Sequence, residues 1–78
     1  MKNTPLTFEQ IIELLNNGEK SIHCKFKLNE YCYSSKDVYF ESDSEVEIFN
    51  YIDESRKILN KKEFEKHYGS SLFFDSFN

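Results

Sequence analysis

The chain opens on a helical period. Phe8, Ile11, Ile12 and Leu15 recur on one face of a 3.6-residue turn, while Glu9, Glu13 and Asn16 lie elsewhere. Thr7 stands where an N-cap belongs, Gln10 completes a capping box, and Leu6 can pack against Ile11 as a hydrophobic staple. Gly18 supplies the left-handed residue that ends a helix. The spacing predicts a helix over about residues 7–17. The period then falls to two: Ile22, Cys24, Phe26 and Leu28 alternate with His23, Lys25, Lys27 and Asn29, as in a half-buried strand. Asn29-Glu30 reads as a two-residue turn and Tyr31 to Tyr33 as the antiparallel return. "SSKD" at 34–37 reads as a second turn, and residues 38–41 as a third short strand.

From Ser42 the pattern "ESDSEVEIFNYIDESRKIL" predicts a second helix. Ser42 with Glu45, or Ser44 with Glu47, makes a capping box, and Ile48, Phe49, Ile52 and Leu59 share a face. Phe64 and Tyr68 fall out of phase with Leu59, which predicts a break at Asn60. Asn60 then caps a short third helix with Glu63 at its third position, ended by Gly69. The tail "SSLFFDSFN" is too apolar to float and is expected to fold back on the core or on a partner. The expected fold is a single α+β domain over residues 1–78. Its elements are an N-terminal helix, a three-stranded antiparallel meander with Ile22, Cys24, Phe26 and Leu28 inward, a second helix, a short third helix and a packed aromatic tail.

Composition adjusts this picture in one respect: a chain of 78 residues is near the lower limit for a self-sufficient core, and eight Phe and five Tyr compensate. No run approaches the ~20 apolar residues of a membrane span. The N-terminus lacks the layout of a signal peptide, so a cytoplasmic location is expected.

Charge changes the picture more. The net charge of −4 is segregated: residues 37–55 hold seven acidic groups and no lysine or arginine. Residues 1–36 carry five basic against four acidic groups, and residues 56–78 five against three. This argues against nonspecific nucleic-acid binding, which needs a basic field, and permits a basic protein partner.

Candidate chemistry is sparse. The chain has no Gly-rich phosphate loop, nucleophile elbow or His-Glu-x-x-His helix, so no enzymatic activity and no cofactor are expected. His23 and His67 are 44 positions apart, and a Cys–His nucleophile pair from Cys24 or Cys32 with His67 is weaker than a structural reading. The Asn29-Glu30 turn would set Cys32 opposite Lys27 and facing away from Cys24, which argues against a disulfide or a zinc site. Cys24 is then a small core hydrophobe and Cys32 a partly exposed thiol. Lys25 and Lys27 beside Phe26, Tyr31 and Tyr33 raise a base-stacking sheet, but the inward parity of Phe26 and the acidic stretch that follows favour core packing.

On the predicted second helix, Asp43, Glu47, Asn50 and Glu54 lie opposite Ile48, Ile52 and Leu59. Asp43 and Glu47 would be ~6 Å apart along the axis, near the spacing of phosphates on one strand. Glu45 adds to the run, and Asp37 and Glu41 extend it backwards. Like charges stacked at i,i+4 cost a few tenths of a kcal/mol per pair, which suggests stability given up for recognition.

With this element order, the stretch "VYFESDSEVEIFNYIDES" resembles the small type II-A anti-CRISPR proteins of phages and prophages. The resemblance implies an acidic surface that mimics DNA and occupies the protospacer-adjacent-motif cleft of Cas9. Asp37, Glu41, Asp43, Glu45, Glu47 and Glu54 would be its phosphate surrogates. The expected function is a phage- or prophage-encoded inhibitor of a basic, nucleic-acid-handling or defence protein, acting in the host cytoplasm. The alternative is an adaptor that self-associates or docks through Leu72, Phe73, Phe74 and Phe77.

Overall fold

A computed structural model of the protein describes residues 4–18 and 20–78. Helix α1 (Phe8–Asn16) is followed by strands β1 (Ser21–Asn29), β2 (Cys32–Ser42), β3 (Glu45–Asn50) and β4 (Ser55–Asn60), helix α2 (Lys61–His67) and strand β5 (Leu72–Phe77). The strands form one antiparallel sheet in the order β4-β3-β2-β1-β5. The first four make a meander, and the chain then crosses back through α2 to add β5 beside β1.

Both helices start as their sequence signals require. Thr7 accepts from the Gln10 amide (3.1 Å) while the Gln10 side chain accepts from the Thr7 amide (2.9 Å). Asn60 and Glu63 repeat the arrangement at α2, at 2.9 and 3.0 Å. Gly18, with φ +98°, follows the end of α1 in the left-handed region.

The expected fold class is overturned between Ser34 and Leu59. "SSKD" is no turn: β2 runs straight through it, with Ser34 opposite Phe26 and Lys36 opposite Cys24. The second helix does not exist. Residues 45–60 form a β-hairpin in which Val46 and Ile48 are buried and alternate with half-buried Glu45, Glu47 and Phe49. Period two wins here because a neighbouring strand completes it: Val46 lies between Phe40 and Leu59, and Ile48 between Val38 and Lys57. Asn50 accepts from the Ile52 amide and Asp53 from the Ser55 amide, and Glu54 takes φ +57°, which together turn the chain between β3 and β4.

The hairpin register also shifts. A bulge pairs Tyr33 with Lys27 and Cys32 with Asn29, so Cys32 is not opposite Lys27. The cysteines are both free, Cys24 buried and Cys32 exposed.

One sheet face carries the core. Ile22, Cys24, Val38, Val46, Ile48 and Leu72 point to it and meet Leu6, Phe8, Ile11, Leu15 and Phe64 from the helix side. Phe64 has no exposed surface and meets Phe8 edge-on at 5.7 Å. Leu28, expected inward, stands near the end of β1 and is exposed. The aromatic tail does fold back, as β5. Leu72 is fully buried and its carbonyl accepts from the Leu6 amide at 2.8 Å, while Phe74 and Phe77 remain partly exposed. Leu72→Ala is therefore expected to cost 2–5 kcal/mol in urea unfolding, against less than about 1 kcal/mol for Phe77→Ser.

Candidate functional site

Three places hold side chains with binding or chemical potential. The first is a groove of about 560 Å³ between α1, the start of α2 and the β2–β3 turn. Phe8 and Ile12 give it an apolar wall, and the carboxylates of Glu9, Glu13 and Asp43 line its rim. Lys61 forms an ion pair with Glu9, which holds the Glu9 carboxyl below its ordinary pKa. Among the described residues, no ion pair involves Glu13 or Asp43.

The second is the sheet face away from the helices. At its centre Asp37 accepts from the Tyr51 hydroxyl (2.7 Å) and pairs with His23 Nδ1 (2.8 Å). The strands set this up directly, because His23 and Asp37 are register partners and Phe49 lies opposite Asp37 on the other side. The Tyr51 ring stands edge-on to both His23 and Phe49, at 5.6 and 5.1 Å. Burial pushes the Asp37 carboxyl up, but hydrogen bonds from Tyr51, His23 and Asn78 outweigh it and hold the pKa below the ordinary 3.8. The same bond raises the Tyr51 hydroxyl. Beside this cluster the Arg56 guanidinium lies over the rings of Phe49 (5.0 Å) and Tyr39 (5.5 Å) and near Glu47 (3.6 Å).

The third is Lys36, on the helix side and only 3% exposed. Its ammonium donates to Ser34 Oγ (2.9 Å) and Asn50 Oδ1 (3.0 Å) and lies 5.6 Å from the Phe26 ring centre. Desolvation lowers its pKa, with the Asp53 carboxylate pulling the other way. A small cavity of about 150 Å³ nearby is lined by Asn50, Asp53, Lys57, His67 and Tyr68 among others. Its partners are neutral groups, so a cation sits in the interior without a directly bonded counter-charge.

Burial raises the Cys24 thiol to about 12, with Asp37 and Asp75 adding to the shift, so it stays neutral and unreactive. Among the described residues, no hydrogen bond joins His67 to either cysteine. Among the described residues, no group of three or more His, Cys, Asp or Glu could hold a metal ion, and no helix is long and apolar enough to cross a membrane.

The six acidic positions do not share one surface. Glu41, Asp43 and Glu45 gather at and beside the β2–β3 turn. Asp37 is 7% exposed and consumed by His23 and Tyr51, Glu47 faces Arg56, and Glu54 lies in the β3–β4 turn at the opposite end of the sheet. The like-charge cost inferred from a helix is absent, since no helix brings these groups to i,i+4 spacing. Glu9 and Glu13, which the acidic stretch does not include, join Asp43 through the packing of α1. Only the helical period of α1 hinted at them. The Asp37–His23–Tyr51 cluster was also missed, because a turn expected at 34–37 hid the β1–β2 register. In the tail, Leu72 belongs to the core and cannot be an interface, whereas Phe74 and Phe77 meet edge-on at 5.0 Å at the sheet edge. Comparison with family models, curated proteins and solved structures found no significant match.

Two predictions test these clusters. Lys36→Met removes a desolvated charge while Asn50 Oδ1 keeps the Ile52 amide, and should stabilise by about 1 kcal/mol, raising Tm by ~4–8 °C. Asp37 has a folded pKa below its unfolded value, so its contribution is complete above pH ~4 and lost as pH falls through the folded pKa. Asp37→Asn should therefore lose about 1–2 kcal/mol at pH 7, and the gap to wild type in urea melts should narrow as the pH falls below the ordinary carboxylate range.

Proposed function

We infer that the protein is a non-enzymatic binding protein, an inhibitor or blocking factor, whose partner is a basic nucleic-acid-handling or defence protein of a bacterial host. The observation that carries this reading is the groove at the β2–β3 turn. An apolar wall of Phe8 and Ile12 is bordered by Glu13 and Asp43, with Glu41 and Glu45 on the adjoining strand ends. Such a groove suits a segment that offers an apolar side chain together with lysines or arginines: the apolar contact supplies affinity and the carboxylates supply orientation and encounter rate. The working surface on this reading is a local acidic end of the sheet rather than an extended DNA-like stripe.

Cas9 as the specific target rests on the sequence resemblance, and the element order that carried the resemblance is not that of the fold. It belongs in the test as one defined partner among others. The protein, immobilised, is offered purified Cas9–guide RNA and a bacterial lysate, in parallel with a folded Glu13→Lys/Glu41→Lys/Asp43→Lys variant. The reading expects a basic partner retained by wild type, at least tenfold less by the variant, and released as salt rises. Equal retention by both would remove the acidic end as the working surface.

A further inference from the structure

The sheet face opposite the helices is, among the described residues, uncovered by any element. It is not an ordinary solvated face. Tyr33, Tyr51 and Ile58 on it are each 46–49% exposed, and Tyr39, Phe49 and Phe73 are half-buried beside them. Tyrosine, phenylalanine and arginine are the residues enriched in protein interfaces, and here they surround Arg56 and the Asp37–His23–Tyr51 cluster.

Charge on this face is divided by position. Lys25 and Lys27 project from β1 at one end, opposite Ser35 and Tyr33. Glu45 and Glu47 project from β3 at the other end, Glu45 opposite Ser42 and Glu47 opposite Tyr39, where Glu47 also lies 3.6 Å from Arg56 and Glu45 carries the corner's remaining negative charge. Measured along β2 the two corners are about six residues apart, or ~20 Å, and they lie two strands apart, ~10 Å. Their midpoint falls on Asp37. A twofold axis lying between two such faces, perpendicular to that diagonal, brings the lysine corner of each copy onto the glutamate corner of the other. The aromatic centre of one copy then covers that of its partner. A twofold interface must be self-complementary, and this distribution of charge meets the requirement. The central carboxylate, Asp37, is already hydrogen-bonded at both oxygens within each chain, so its burial leaves neither oxygen unpaired. Asp75, at the β5 edge beside Phe73, lines the same hollow as Lys25 and offsets part of the charge at that corner, leaving Lys27 as its outer cation.

We propose that this face is the interface of a homodimer, two sheets packed face to face with the Lys25/Lys27 corner of each copy against the Glu45/Glu47 corner of the other. Five strands at ~4.8 Å and six residues at ~3.4 Å give a footprint of roughly 24 by 20 Å, the scale of a standard interface of ~800 Å² accessible area per partner once side-chain relief is counted. A single-stranded nucleic acid is the competing occupant. The face suits it less, because base stacking needs a free ring face, and Arg56 already lies over both Tyr39 and Phe49.

The test is a charge exchange read by sedimentation equilibrium. Wild type should sediment at twice its 9.4 kDa mass. Lys25→Glu/Lys27→Glu places acid against acid, and Glu45→Lys/Glu47→Lys places base against base. Each, with its fold verified by circular dichroism, should be monomeric at concentrations where wild type is dimeric. An equimolar mixture of the two variants restores both attractive corners and should return to the dimer mass, as should a chain carrying all four substitutions. A monomeric wild type, or a mixture that stays monomeric, overturns the proposal. Retardation of a fluorescent oligo(dT) by a monomeric wild type would overturn it in favour of nucleic acid. The Glu13, Glu41 and Asp43 variant of the binding test should dimerise normally, which keeps the two surfaces separable.

Discussion

Phe64 joins the two layers of the fold. It is fully buried, meets Phe8 of α1 edge-on and lies 5.8 Å from the Tyr68 ring, which in turn meets Phe26 of β1 at 5.1 Å. Helices of nine and seven residues are too short to be stable alone, so their persistence depends on this packing against the sheet. The same shortness limits what they can cover. Two such helices shield one face of five strands and, among the described residues, leave the other without a layer.

That constraint accounts for the arrangement of the uncovered face. An isolated carboxylate at the centre of a sheet would be poorly solvated and costly. Asp37 is instead held by partners from three strands or their extensions, His23 across β1 and Tyr51 at the end of β3 among them. Arg56 reaches across from the edge strand to cover two rings. On the buried side Lys36 is the exception, a cation met by neutral acceptors and a ring face.

The acidic stretch illustrates how topology redistributes charge that is contiguous in sequence. In a hairpin, successive residues alternate between faces and the two turns lie at opposite ends, so seven acidic groups within residues 37–55 cannot stay together. What gathers at the β2–β3 turn is a smaller set, completed by Glu9 and Glu13 from a helix far earlier in the chain.

The sequence by itself determined the features whose physics is local. The capping boxes at Thr7 and Asn60, the helix ends near Gly18 and Gly69 and the alternation from Ile22 to Phe26 all depend on neighbours within a few residues, and the apolar tail required only that it be covered somewhere. Tertiary structure decided the rest. Ser34 and Lys36 look like turn residues until Cys24, Phe26 and Asn50 are beside them, and "EVEIFN" fits a helical and a strand period about equally until Val38 and Leu59 flank it. The groove and the uncovered face were illegible for the same reason: each is assembled from residues distant in sequence, and strand pairing, which no single stretch of chain encodes, sets which of them meet.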